Sequence, residues 1–162
     1  MPDARSLSGP LSIPDLFEAR EVEAMIARLR RLTPDHTPRW GTMNAGQMLA
    51  HCRVAYAMAL REDFPRQNPV VRLLLRLVVK PSVTGPAPYR QNLPTAPVFR
   101  VSPTQDFVRE RDGLIADLRA VAAHGAAHFD GRPSPTLGRL TAAEWNTLLA
   151  KHLDHHLTQF GV

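Results

Sequence analysis

LTAAEWNTLLAKHLDHHLTQFG, residues 140–161, decides how the rest of the chain is read. Thr141 followed three residues later by Glu144 is a capping box, in which each side chain satisfies the other residue's backbone N–H at a helix start. A helix therefore runs from about Ala142 almost to the end. Turning about 100° per residue places Trp145, Leu149, His156 and Gln159 within roughly 60° of His152. His155 lies about 60° to the other side, at the edge of that face. Two neutral imidazoles on a core-facing stripe must each place one ring N–H and one lone pair, which apolar packing alone does not provide.

Two histidines at i and i+4 on one helical face are able to chelate a divalent ion. The same pattern also serves helix-capping or interface histidines, and a stable metal site needs a further ligand. The inward-facing candidate is His51. Asn44 and Gln47 resemble a second capping box, and the helix they open runs to about Arg61. Met48, Cys52, Ala55 and Ala59 form its apolar face, and His51 lies on that face. A lone histidine there is ordinarily a satisfied core residue. Joined to His152 and His156 it makes a three-histidine set with an open position, the pattern of a catalytic rather than a structural metal. Cys52 adjoins His51, but neighbours in a helix do not face each other, and Cys52 reads as a small core residue.

Working outward, Ser12 is placed to cap a first helix, with Pro14 and Asp15 in its first turn. Leu16, Phe17, Met25, Ile26, Leu29 and Leu32 supply a helical stripe that Pro34 and Pro38 end. A third long helix is expected from about Thr104 to His124, with Phe107, Leu114, Ile115, Leu118, Val121 and Ala122 inward and Gly125 as its stop. Residues 63–103 form a proline-rich connection holding one short apolar helix, about Val70 to Lys80. Its Arg72, Arg76 and Lys80 share a face, which suggests an amphipathic lid packed on the body with its basic stripe in water. The expected fold is all-α: a four-helix bundle with a long crossover between the second and third helices, formed by residues 12–162, with residues 1–11 as a loose arm.

The chain has 162 residues, a formal net charge of +5 and a single cysteine. That length suits one domain with a real core. One cysteine forbids an internal disulfide. The first residues have no apolar segment of signal-peptide length, and the 69–81 run is too short and too charged to span a bilayer. A cytoplasmic protein is expected. Arg28, Arg30 and Arg31 aside, the cations are scattered, which reads as a solvated surface. Neither nucleic acid nor membrane is the favoured partner.

RWGTMNAGQMLAHC (39–52), NLPTAP (92–97) and the closing LTAAEWNTLLAKHLDHHLTQFGV (140–162) together resemble a bacterial domain-of-unknown-function family within the DinB-like superfamily, whose chains end in HHLxQFG. The resemblance covers nearly the whole chain after the arm. It implies a four-helix bundle in which His51, His152 and His156 hold a divalent metal, with Gln159 at the trailing polar position. One departure stands out. Relatives carry a His-Pro-aromatic-aromatic-Gly stretch before the last helix, where this chain has SPTLG (134–138). Ser134 replaces that histidine, and His128 is the nearest loop histidine able to substitute for it.

By the same resemblance the expected activity is metal-dependent S-transfer or isomerisation using a low-molecular-weight thiol, acting on a small molecule. Zinc or nickel suits three imidazoles, and iron and manganese accept the same ligands. Arg39 or Arg90 at the mouth would suit an anionic cofactor. Trp145 and His155 are pocket candidates, although core packing is the favoured reading for Trp145. Homodimerisation through a bundle face is expected of the superfamily. The alternative is a non-catalytic metal-binding or stress-response module. It draws on the lack of a clear general base: Asp154 points away from the histidine face and Glu144 serves a cap.

Overall fold

The computed structural model describes residues 12–162 and is mostly helical. The arm expected at residues 1–11 lies outside the described residues. Six helices run α1 (Ala19–Arg31), α2 (Ala45–Leu60), α3 (Pro69–Val78), α4 (Lys80–Thr84), α5 (Phe107–Phe129) and α6 (Ala142–Gln159). A hairpin of two-residue strands, β1 (Pro133–Ser134) and β2 (Gly138–Arg139), sits between α5 and α6. Among the described residues no helix is long and apolar enough to cross a membrane.

Helix α2 is the centre of the packing. It is buried on almost every side, lies mainly against α5 and also meets α6, while α1 packs on both α5 and α6. Its inward set joins Leu29 of α1, Leu114 and Leu118 of α5, and Leu149 and Leu153 of α6 in one core. Cys52 is wholly enclosed there beside the Met48 sulfur, and burial pushes its thiol up, away from the reactive thiolate.

Local signals fix most helix ends. The Asn44 side chain accepts from the Gln47 N–H, but the Gln47 amide donates to the Val101 carbonyl, so only half of the expected box forms. At α6 both halves form: Thr141 accepts from Glu144 N–H, and Glu144 accepts from Thr141 N–H. Gly125 leaves the helical region at φ +72°, which breaks α5 at the expected residue; one further turn follows. Helix α5 opens at Phe107 rather than near Thr104, because the Asp106 carboxylate before it caps Arg109 N–H.

Two expectations are corrected. The first helix does not begin near Ser12. Asp15 instead closes a tight turn, accepting from Phe17 N–H at its side chain and from Glu18 N–H at its carbonyl. The Asn146 amide of α6 then holds that turn, accepting from Leu16 N–H at 2.8 Å and donating to Pro14 O at 3.0 Å. This long-range pairing outweighs the local cap, and α1 opens only at Ala19.

The second correction concerns α3. Its apolar stripe does not face the body, and its basic stripe is only partly in water. Val70, Leu73, Leu74, Leu77 and Val78 are 56–73% exposed; of the basic residues Arg76 stays exposed, while Arg72 and Lys80 are partly covered. Contacts with the body gather at the C-terminal end of the helix and just beyond it. Lys80 Nζ pairs with the Glu144 carboxylate at 2.8 Å, and the Arg76 stem lies over Gly138. Leu75, Val79 and Val83 take the few apolar contacts left at the core edge.

Candidate metal centre

Three imidazoles converge where α2 meets α6. His51 comes from the middle of α2, and His152 and His156 from successive turns of α6. The ring centroids form a near-equilateral triangle: 4.9 Å from His51 to His152, 4.8 Å from His51 to His156 and 4.8 Å from His152 to His156. One nitrogen from each lies within 4.8 Å of the other two. His51 and His156 are buried and His152 is largely so.

Hydrogen bonds outside the triangle orient two of the rings. His51 Nδ1 lies 3.0 Å from the Phe99 carbonyl, an acceptor only, so Nδ1 carries the proton and the Nε2 lone pair points inward. His156 Nδ1 lies 2.8 Å from Gln159 Oε1 and is fixed in the same way. The Gln159 amide is itself fixed, donating from Nε2 to the Trp40 carbonyl at 2.6 Å. Gly41 lies directly beneath it at φ +80°, where a Cβ would stand 2.8 Å from Gln159 Nε2. The Arg39 N–H to Gln159 O bond at 2.8 Å closes the same corner. RWG (39–41) therefore serves as the cradle of a glutamine that orients a histidine.

His152 does not resolve in this way. Its Nε2 stands 3.0 Å from His51 Nε2, and its buried Nδ1 has no partner. With the inward lone pair of His51 fixed, His152 either donates from Nε2 and strands an acceptor at Nδ1, or turns a second lone pair towards the first. Two inward lone pairs at this spacing suit one shared cation, since nitrogens bound at about 2.0–2.1 Å to one ion lie roughly 3 Å apart. The donor set, the outward N–H anchors and the orphaned atom all fit a divalent ion.

The electrostatics favour neutral ligands. Burial, reinforced by neighbouring imidazoles, holds His152 well below the usual histidine value and His156 down to about 3. Burial also lowers His51, against the Phe99 carbonyl that raises it. Neutral imidazole is the metal-binding form.

Aromatic walls surround the triangle. The Phe99 ring lies 5.5 Å from His51 and 5.8 Å from His152. Tyr89 lies 6.3 Å from His152 and 5.6 Å from His155, and Trp40 meets His155 at 5.5 Å. Half-buried His155 thus sits at the edge of the site, ring to ring with His156 at 5.2 Å. Phe99 and Tyr89 belong to the proline-rich crossover, where no helical period points to them; only the nearby NLPTAP stretch drew attention to that segment.

Lys151 holds the crossover in place. Its ammonium donates to the carbonyls of Ser82 (2.7 Å), Gly85 (2.6 Å) and Ala87 (3.0 Å), which uses all three of its N–H bonds. It also lies 4.7 Å from the Tyr89 ring centre.

The other candidates lie apart from the triangle. Trp145 packs on Phe129 and donates to the Arg132 carbonyl, which gives it the core role. Asp154 is paired with Arg28 at 2.6 Å. Ser134 shapes the β1–β2 turn, accepting from Thr136 and Leu137 N–H, and Leu137 fills core space. His128 stacks on His124 at 4.2 Å beyond the α5 break. Arg39 lies against Gly161, and Arg90 is exposed beside Tyr89.

No curated protein and no solved structure gives a significant match. The family model described as protein of unknown function (DUF1569) matches residues 12–161, which carry every side chain of the triangle and its anchors, and the chain belongs to that family.

Proposed function

We propose that the protein is a divalent-metal-dependent enzyme of the DinB-like type, with α1, α2, α5 and α6 as its four-helix bundle and a low-molecular-weight thiol as co-substrate. The observation that carries the reading is the convergence of His51, His152 and His156, two of them with their lone pairs fixed inward. An ion bound there would supply Lewis acidity, lowering the pKa of a coordinated thiol or water. Zinc and nickel are the leading candidates for three imidazoles.

The remaining work falls to the chain's own residues. Phe99 and Tyr89 limit water at the triangle and offer apolar walls to a small electrophile. His155 is half-buried and neutral because burial lowers it, so a ring nitrogen is free to take a proton from an incoming thiol. Arg90, beside Tyr89, suits the carboxylate of an acidic thiol.

One observation favours a second reading, a non-catalytic metal-binding module. Asp154 is engaged by Arg28 and Glu144 by the α6 cap and Lys80, so neither carboxylate is free to act as a base at the site.

The test is metal analysis of untagged protein beside a His152→Ala, His156→Ala variant, followed by thiol-transfer assays on the loaded protein. The expected result is about one ion per chain, lost in the variant. Absence of metal after reconstitution with zinc, nickel and manganese would sink both readings. Stoichiometric metal without turnover across a panel of thiols and electrophiles would leave the binding module.

A further inference from the structure

We propose that the outward face of α3 docks on an anionic lipid surface, which would make the protein a peripheral membrane protein. Six of the eight large apolar side chains left exposed among the described residues lie on this ten-residue helix. Val70, Leu73, Leu74, Leu77 and Val78 follow the i, i+3, i+4, i+7, i+8 pattern of a single stripe and project from the body. Contiguous apolar surface of this kind marks an interaction site.

Charge identifies the occupant. Residues 64–105 contain six of the chain's twenty lysines and arginines and none of its fifteen acidic residues, so this segment accounts for the whole positive excess. Of the six, only Lys80 has an acidic partner within 4.0 Å among the described residues, Glu144. An apolar stripe on a helix set in uncompensated cations is the composition of an interfacial helix that lies in the headgroup region, its leucines among acyl chains and its arginines near phosphates. A second copy would bring two such cationic segments together without an acid on either side. The stripe is a ridge of valine and leucine with no aromatic or arginine anchor of the kind that dominates protein–protein contacts. Docking through α3 would also bring the crossover that carries Tyr89 and Phe99 close to the lipid.

The proposal does not depend on the metal, and its test reads partitioning alone. The full chain is sedimented with vesicles of phosphatidylcholine and of phosphatidylcholine mixed with phosphatidylglycerol, at low and high salt. The expected result is binding to the mixed vesicles that salt weakens, with little binding to phosphatidylcholine alone. Leu74→Asp with Leu77→Asp should lower the partition coefficient by about tenfold or more. Both side chains stand in water, so the variant keeps its circular dichroism and melting temperature. Arg66→Gln with Arg90→Gln should weaken binding less and flatten its salt dependence. Failure of the wild-type chain to bind mixed vesicles would overturn the proposal, as would equal binding by the leucine variant. A wild-type dimer dissolved by the leucine variant, without vesicle binding, would assign the face to a second copy instead.

Discussion

Helix α6 turns His152, His156 and Gln159 into the protein, while α3 turns six aliphatic side chains out of it. Both are amphipathic, and on each some side chains oppose the rule that apolar residues face in and polar residues face out. The difference lies in what holds each helix. Around α6, polar partners wait inside: the Phe99 carbonyl for His51, and the Trp40 carbonyl, through Gln159, for His156. Just past the end of α3, Lys80 meets Glu144 and the Arg139 carbonyl on the body, and the apolar stripe is left facing outward. Periodicity shows which residues share a face. The partners available in three dimensions decide which way that face points.

Truncation of one leucine on each helix tests the contrast most severely. Leu149 on α6 is fully enclosed and Leu77 on α3 is 66% exposed. Leu149→Ala should lower unfolding free energy by about 2–5 kcal/mol in denaturant titrations. Leu77→Ala should change it by no more than about 0.5 kcal/mol. Similar losses at the two sites would mean that the outward roll of α3 is wrong.

A smaller effect isolates the anchors. Gln159→Leu removes the acceptor for His156 Nδ1 while keeping much of the side-chain volume. Metal affinity should fall about 10- to 100-fold, as for other partners of ligating histidines. Competition against a chelator reads the change directly. Unchanged affinity would show that the Trp40–Gln159–His156 relay does not orient the ligand.

The pH dependence of the metal-stripped protein is gentler. His156 titrates near 3 when folded and near 6.5 when unfolded. Between those values the unfolded chain binds a proton that the folded chain does not, so stability falls as pH falls through this window. The slope from His156 alone is about 1.4 kcal/mol per pH unit. His51 and His152, lowered by burial, add in the same direction. Unfolding free energies at pH 7, 6 and 5 should decline, and His156→Gln should flatten the line. Equal slopes would mean that His156 is not held neutral.

Much of the molecule was legible where a signal is local. The Thr141–Glu144 box, the Asn44 cap and the Gly125 stop each depend on residues within one turn. The inward spacing of His152 and His156 followed from helical geometry, and the apolar face of α2 pointed to His51, which lies beside them in the structure. What failed was set by distant partners. Asn146 grips the Pro14–Leu16 turn from 130 residues away and displaces the first helix start from Ser12. Glu144 holds Lys80 just past the end of α3. Phe99 and Tyr89 reach the histidines from a connection with no period of its own.

The Lys151 contacts also alter the thermodynamics of the long excursion from 61 to 106. Closing a flexible loop becomes only slowly more unfavourable with length, by about 0.6 kcal/mol for each doubling. By gripping the carbonyls of Ser82, Gly85 and Ala87 near its midpoint, Lys151 divides the excursion into two shorter chains, each anchored at both ends. Extra residues near 64–68 would then lengthen a single surface loop. Extra residues within 82–87 would misalign three carbonyls at once and release the aromatic wall from the imidazoles.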